Sequence, residues 1–186
     1  DEMFRAVDPK DATLVKTDSS KEFCNVCGMH LTKFYKTSHA TEFKNGHKEQ
    51  YCSLHCQAQI EEDHADKIKN IQVVDTNSLK FIDAKNAIYV VGSSKPGTMT
   101  PVSKYAFSTK EEAVKFQKEF GGEIHTFDES LDMAKKALIK ENNAIDEKRV
   151  PMAIKGKKAF ETMCDTKQIK DFNSVGEAKQ YLIDNN

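Results

Sequence analysis

The stretch CNVCGMH, from Cys24 to His30, and its counterpart YCSLHC, from Tyr51 to Cys56, hold four of the five cysteines of this 186-residue chain. In the first stretch a glycine follows a C-x2-C pair, so the backbone can turn and point its amides at two thiolates, as in a zinc knuckle. In the second, Ser53 is a favourable helix N-cap. It would place Cys52 at the start of a helix and Cys56 one turn inside it, where the helix dipole favours a thiolate. A knuckle and a helix start, separated by residues 28–51, predict a treble-clef-like metal site.

Two metals compete for these sulfurs. Zn(II) takes a closed tetrahedral set of ligands, and the four cysteines supply one: Cys24, Cys27, Cys52 and Cys56. Cu(I) is softer, needs fewer ligands and accepts thioether sulfur. Met29 lies two residues after Cys27, across the glycine turn, and Met99 lies in an otherwise polar loop. Both methionines are candidate Cu(I) ligands, although core packing explains Met99 equally well. The sequence leaves the choice between zinc and copper open.

The remaining sulfur and imidazole groups have weaker claims. We expect Cys164, which follows Met163, to be a buried free thiol. His30 and His55 flank the cysteine pairs and are secondary ligand candidates only. The other histidines show no ligand spacing: His39, His47, His64 and His125.

Composition restricts the function. With 28 basic and 29 acidic residues and a formal net charge of −1, the chain offers no electrostatic case for binding nucleic acid. No apolar run is long enough to span a membrane. The chain begins at Asp1 rather than Met, and we expect an export signal to have been removed. An odd cysteine count and two closely spaced pairs favour metal thiolates over a disulfide framework. A redox dithiol at Cys24 and Cys27 is the rival interpretation, disfavoured because a strand-like run rather than a helix follows the pair.

The secondary-structure pattern alternates short strands with helices. The Asn45-Gly46 pair predicts a hairpin with a type I′ turn. Capping signals at Ser53 and Ser108 predict helices over 54–66 and 109–120, and a start at Asp128 predicts one over 128–140. A further capping box at 174–177 precedes a predicted helix over 178–183. We expect a linker over 141–149 and strand-like pieces over 151–160. Strands are predicted over 31–35, 40–44, 72–74, 80–82, 87–91, 105–107 and 123–127.

A shift of 65 residues aligns Phe107 with Phe172 and Ala113 with Ala178 without a gap, which indicates an internal repeat. The fold class predicted is therefore α+β, made of tandem β-hairpin–helix (ββα-type) repeats with the treble-clef-like metal site in the first unit. Its segments are an N-terminal tail or edge segment over 1–21, a metal-binding unit over 22–84, a second unit over 85–141 and a C-terminal repeat unit over 150–186.

Over about residues 22–131 the sequence resembles the NosL family, accessory proteins of nitrous oxide reductase. The resemblance rests on the C-x2-C-G-M motif at 24–29, on the YCS motif at 51–53 and on the stretch from Val90 to Met99. It continues through Phe107-Ser108 and its acidic helix start to Gly121-Gly122 and the FDE motif at 127–129. The first motif occurs in other small metal modules, whereas the ordered series is more specific.

The resemblance implies a Cu(I) chaperone that performs no catalysis and delivers copper to the maturation machinery of nitrous oxide reductase. It also implies two homologous ββα units and a periplasmic or extracytoplasmic location, with a lipid anchor in the full-length form. The family's copper-binding residues fall on Cys27, Met29 and Met99. This chain differs in having Thr100 after Met99, in a complete second cysteine pair that suggests a structural Zn(II), and in its extra segment at 150–186.

Two other functions stay open. The chain could be a zinc-stapled interaction module that does not transfer copper. A thiol-based enzyme is less favoured, because no activating base lies at a fixed spacing from any cysteine.

Overall fold

A hairpin at Asn45-Gly46 organises the first sheet of the computed structural model, which describes residues 2–164 and 170–185. The sheet is antiparallel, with the order β2-β1-β3-β4. Its strands are β1 (His39–Phe43), β2 (Lys48–Tyr51), β3 (Ile68–Val74) and β4 (Phe81–Asp83). Helix α1 (Leu54–His64) connects β2 to β3. Its predicted cap is confirmed, because the Ser53 side chain accepts a hydrogen bond from the Cys56 amide.

The predicted hairpin is confirmed, but its turn is of another type. The Gly46 amide donates to the Phe43 carbonyl at 2.9 Å, and the Phe43 amide donates to the His47 carbonyl at 2.9 Å. Of the turn residues described, Gly46 has a positive φ, +85°, and Asn45 does not. A type I′ turn needs two positive φ angles, so this is a three-residue connection that ends in a left-handed glycine.

The second sheet repeats this arrangement. Strands β5 (Ile88–Val91), β6 (Lys104–Phe107) and β7 (Glu123–Thr126) form an antiparallel sheet in the order β6-β5-β7, and α2 (Lys110–Phe120) connects β6 to β7. Thr109 caps α2, one residue later than predicted. In both sheets the first strand of the hairpin, β1 or β5, has a neighbour on each side. One neighbour is its hairpin partner, and the other is the strand that follows the helix. The α+β class is confirmed, whereas descent of these units from a tandem sequence repeat stays a prediction.

The predicted linker at 141–149 and the predicted strand pieces at 151–160 are wrong. One 37-residue helix, α3 (Phe127–Met163), covers both ranges, and Thr126 and Glu129 form a capping box at its start. Pro151 lies inside the helix. Proline removes the hydrogen bond to the carbonyl four residues earlier, at Glu147, which is exposed and can bind water instead. The helix therefore continues through Pro151 to Met163.

Two other predictions fail locally. Residues 31–35 do not form a strand, because Leu31–Thr37 is a 3-10 helix that buries Leu31, Thr32 and Tyr35. The third repeat copy has its helix, α4 (Val175–Asp184), with Ser174 as cap as predicted, but no β-hairpin among the described residues of 150–186. The division of the chain into four segments stays a prediction.

The N-terminal segment packs along both sheets. The Phe4 ring contacts the rings of Tyr105, Phe116 and Phe120 at centroid distances of 5.5, 6.1 and 6.2 Å. Farther along, Leu14 packs against the buried cysteines. The segment is therefore held by apolar contacts at two points.

A buried hydrogen bond joins the two sheets. His39 on β1 is fully buried, and its Nε2 lies 2.9 Å from the Tyr89 hydroxyl on β5, while its Nδ1 lies 3.0 Å from the Thr37 carbonyl. Burial lowers the pKa of His39 to about 4, so the imidazole is neutral. Around this bond the main core packs side chains of both sheets against α1 and the first part of α3. In the part of the chain that the structure describes, no helix has the length and apolar character needed to cross a membrane.

Candidate metal centre

The knuckle forms as the sequence predicts. The Gly28 amide donates to the Cys24 carbonyl at 2.9 Å, and the Cys24 amide donates to the Met29 carbonyl at 2.9 Å. Gly28 has a φ of +71°, in the left-handed region where a glycine avoids the steric cost paid by other residues. This turn places Cys24 and Cys27 side by side.

The second cysteine pair lies at the junction of β2 and α1. Cys52 directly follows the last residue of β2, and Cys56 is the third residue of α1. The Thr37 hydroxyl donates to the Cys52 carbonyl at 2.8 Å, which fixes the backbone at the end of the strand. The predicted combination of a knuckle with a helix start is therefore present in the fold.

The four sulfur atoms form one cluster. All lie within 4.8 Å of one another: Cys24, Cys27, Cys52 and Cys56. The Sγ atoms of Cys27 and Cys52 are 3.4 Å apart, and those of Cys52 and Cys56 are 3.8 Å apart. A tetrahedral site with Zn–S bonds of about 2.3 Å requires sulfurs roughly 3.8 Å apart. The donor set and its spacing thus fit one tetrahedral metal ion with little rearrangement.

One sulfur is more accessible than the others. Cys24 is 2% exposed, and Cys52 and Cys56 are 0% exposed, whereas Cys27 is partly exposed. Three of the four thiols are therefore shielded from solvent, and the cluster is accessible at Cys27. A metal ion held here would exchange with an outside ligand most easily at that position.

The thiols influence each other's protonation. Burial raises the pKa of Cys24, but hydrogen bonds from Cys27, Cys52 and Cys56 outweigh it and hold that pKa well below its ordinary value. Hydrogen bonding to neighbouring thiols, together with burial, holds the pKa of Cys52 and of Cys56 well above the ordinary value. The cluster therefore favours loss of a proton at Cys24 first, and a thiolate is the form in which cysteine binds a metal.

A buried lysine lies beside the knuckle. Lys16 is 5% exposed, and its Nζ donates to the carbonyls of Ser20 and Phe23, both at 2.8 Å, and to the Ser20 hydroxyl. Burial lowers the pKa of Lys16, while the negative groups of Asp18 and Cys24 act in the opposite direction. Because Phe23 immediately precedes Cys24, this ammonium group braces the knuckle and also interacts electrostatically with Cys24.

Replacing Lys16 with glutamine is expected to weaken metal binding by about 10- to 100-fold, the range typical of groups that support metal ligands. Glutamine keeps N–H donors for the carbonyls but removes the positive charge. Competition with a chelator measures the effect. The matched control is Lys36→Gln, since Lys36 lies over the Phe4 ring. An unchanged affinity in Lys16→Gln would mean that only the hydrogen bonds matter.

The two candidate methionines both pack against the cysteine cluster and are partly buried. Met99 has a φ of +67°, which is strained for a residue with a long side chain. Its loop is fixed just before Met99, by a hydrogen bond between the hydroxyls of Thr98 and Thr37 and by the Gly97 carbonyl, which accepts from Arg5. Backbone strain of this kind persists where surrounding structure enforces it, and it clusters at functional sites.

Cys27 and Met99 line the same pocket. It has a volume of about 210 Å³ and lies between the knuckle, α1 and α3, and its other lining residues are Val26, His55, Gln59, Asn142, Ile145, Asp146 and Arg149. Sequence reasoning missed the α3 side of this pocket, because it assigned 141–149 to a linker. Met29 packs on the cluster without lining the pocket.

The secondary candidates do not join the cluster. Both nitrogens of His55 face side-chain oxygens on α3, with Nδ1 2.8 Å from Glu141 and Nε2 3.0 Å from Asn142. The Nδ1 of His30 lies 2.9 Å from the Thr32 hydroxyl. Cys164 is exposed, so its expected burial is wrong. It follows α3 at the point where the helix has left the core.

A family model, NosL, matches residues 15–135. The chain belongs to the NosL family. The match includes the knuckle, the second cysteine pair and Met99, and it ends near the start of α3. The resemblance inferred from the ordered motifs is therefore confirmed.

Two relatives extend this comparison. The chain is similar to the crystal structure of the copper chaperone NosL from Shewanella denitrificans, with a TM-score of 0.54 and 28% identity, covering 66% of this chain and 96% of that one. It is also 25% identical over 118 residues to the HTH-type transcriptional repressor CutR of Bacillus subtilis. That match covers 63% of this chain and 61% of the length of the repressor.

Proposed function

We propose that this protein is a metallochaperone, which binds Cu(I) and passes it to a recipient protein without a chemical step of its own. The observation that carries the proposal is that Cys27, the most accessible thiol of the cluster, and Met99 line one pocket. A thiolate and a thioether together select Cu(I) over harder ions. The Shewanella relative, a copper chaperone by its description, supports the same function.

Transfer by ligand exchange follows from this arrangement. A sulfur ligand of the recipient enters the pocket and binds copper as the bond to Cys27 or Met99 breaks. Copper stays Cu(I) throughout, so no oxidant or reductant is needed. The three buried cysteines, Cys24, Cys52 and Cys56, hold the remaining face and keep the ion from solvent.

Zinc and copper would share this site. Because all four sulfurs lie in one cluster, Zn(II) bound by the four cysteines and Cu(I) bound through Cys27 and Met99 exclude each other. The second candidate function is therefore a zinc-stapled interaction module without copper transfer. The spacing of the four sulfurs fits a tetrahedral ion and so favours the zinc-stapled module. The thioether beside the accessible thiol favours the chaperone, because a four-cysteine zinc site does not need a fifth sulfur ligand.

Family membership supports a more specific role. We propose that the recipient belongs to the machinery that matures nitrous oxide reductase, and that the full-length protein is exported and held at the membrane by a lipid anchor. Fractionation of cells that contain the native protein tests its export and membrane attachment. The copper content of the reductase, measured in a strain that lacks this protein, tests the proposed recipient.

Replacing Met99 with leucine is expected to lower Cu(I) affinity by about tenfold or more, equivalent to at least 1.4 kcal/mol, because leucine fills the space without offering a sulfur donor. Met29→Leu is expected to act in the same direction. Titration against a Cu(I) chelator gives the affinities. Met163→Leu is the matched control, since Met163 is 84% exposed on α3. Equal Cu(I) affinities in all three variants would leave the methionines as packing residues and favour the zinc-stapled module.

A further inference from the structure

The C-terminal helix α4 packs directly on the metal knuckle. A methyl group added at Gly28 would lie 2.5 Å from Cγ1 and 2.9 Å from Cβ of Val175, closer than any real contact allows. At Gly176, a methyl group would lie 3.1 Å from Cβ of Phe23 and 3.2 Å from Cβ of Ser20. The first turn of α4 therefore packs tightly against the knuckle, and at Gly28 the contact leaves no room for a side chain.

A lysine of α4 holds the knuckle backbone. The Lys179 Nζ donates to the Gly28 carbonyl at 2.6 Å and lies 5.7 Å from the centroid of the Phe23 ring. Gly28 directly follows Cys27, so this bond fixes the peptide next to the accessible thiol. Lys16 holds the Phe23 carbonyl at the other end of the same turn. Two lysine side chains thus brace the knuckle, one from each end of the chain.

Outside these contacts α4 is weakly held. Gly176 is the buried residue of the helix, while Val175, Leu182 and Ile183 are 54%, 46% and 60% exposed. A helix of ten residues has little stability of its own in water. Its docking therefore depends on the shape of the surface beneath it, which is formed by Ser20, Phe23 and the turn from Cys24 to Gly28.

The turn from Cys24 to Gly28 carries two of the four clustered thiols, Cys24 and Cys27. Ligand pairs of this kind are ordered by the metal that they bind, so that binding energy becomes folding energy. The family model ends at residue 135, well before α4, so this contact is an addition to the part of the chain that defines the family. Helix α4 therefore contacts a knuckle whose cysteine cluster lies within the residues matched by the family model.

We propose that metal binding at the cysteine cluster and docking of α4 on the knuckle are thermodynamically coupled. Metal orders the turn and holds the helix, and loss of metal releases it. The coupling is reciprocal, so the docked helix raises metal affinity by the same factor by which metal favours docking. This inference rests on the proposed metal site, but not on copper being the ion.

Hydrogen exchange of the full chain with and without Zn(II) tests the coupling. We expect amides of 175–184 to exchange about tenfold or more slowly when Zn(II) is bound. Amides of α2 should be unaffected, since that helix packs on the second sheet. In the reciprocal experiment, Lys179→Ala should weaken Zn(II) binding by about fivefold or more. The matched control is Gln180→Ala, because Gln180 bonds to Asp184 within the same helix.

Two results separate the possible failures. The first result is tight Zn(II) binding with unchanged hydrogen exchange over 175–184 and with native Zn(II) affinity in Lys179→Ala. That result would show that the coupling is wrong while the metal site is correct. If neither Zn(II) nor Cu(I) binds tightly to the native chain, the metal centre itself is wrong and the coupling falls with it.

Discussion

Replacing Cys52 with serine is expected to weaken metal binding strongly and to loosen the fold around the knuckle. Structural four-cysteine zinc sites bind with about 10–16 kcal/mol of apparent free energy at neutral pH. Loss of one of four ligands then removes several kcal/mol, or about 10²- to 10³-fold in affinity. Cys52 is 0% exposed and lies within 4 Å of the sulfurs of Cys27 and Cys56, so a solvent molecule cannot easily replace it.

The effect of Cys52→Ser is measured by chelator competition, with circular dichroism as the measure of folding. Cys164→Ser is the matched control, since this thiol is exposed and outside the cluster. The second sheet has a separate aromatic cluster around Phe116 and is expected to stay folded in both variants. Native-like affinity in Cys52→Ser would show that the ion binds elsewhere.

Replacing Gly28 with alanine is expected to be much more costly than the same change at Gly46. Both glycines have positive φ angles, +71° and +85°, so each substitution carries a backbone cost of about 1–2 kcal/mol. An added methyl group at Gly46 meets nothing within 4 Å, whereas at Gly28 it overlaps Val175. Relief of that overlap requires the knuckle or α4 to move. We therefore expect Gly28→Ala to lose roughly 1–3 kcal/mol more in stability, the usual range for overpacking.

Urea unfolding of the metal-bound protein measures the difference between the two alanine variants. Gly28→Ala should also bind metal less tightly, while Gly46→Ala should bind like the native chain. Equal losses of stability, together with equal metal affinities, would contradict the close packing of α4 on the knuckle.

Local features of the site could be predicted from the sequence. The cysteine knuckle, the serine cap of α1 and the hairpin glycine each depend on a few neighbouring residues with fixed conformational preferences. The spacing between the two cysteine pairs then predicted that all four thiols form a single cluster. The ordered motifs then indicated the family over nearly the same residues as the family model matches.

The features that were missed depend on tertiary contacts. The polar residues 141–149 suggested a linker, but α3 is anchored by its capping box and by buried residues such as Leu131 and Leu138. Once begun, the helix continues because each added residue forms a backbone hydrogen bond at little further cost. Burial of Lys16 and docking of α4 had no local signal either, since each involves segments distant in sequence.

The structure divides the metal centre into a closed part and an open part. Three buried thiols give the affinity that a bound ion needs, and Cys27 with Met99 gives the access that transfer needs. A site for structure alone gains nothing from the open part. This division is the physical reason to favour a chaperone over a zinc-stapled module.

Anaerobic Cu(I) titration of the reduced, Zn(II)-loaded protein, with free zinc measured at each step, tests this account most directly. We expect Cu(I) to bind tightly and to displace Zn(II), since both ions need the same cysteines. Retention of Zn(II) without uptake of Cu(I) would contradict the chaperone function and leave a zinc-stapled module.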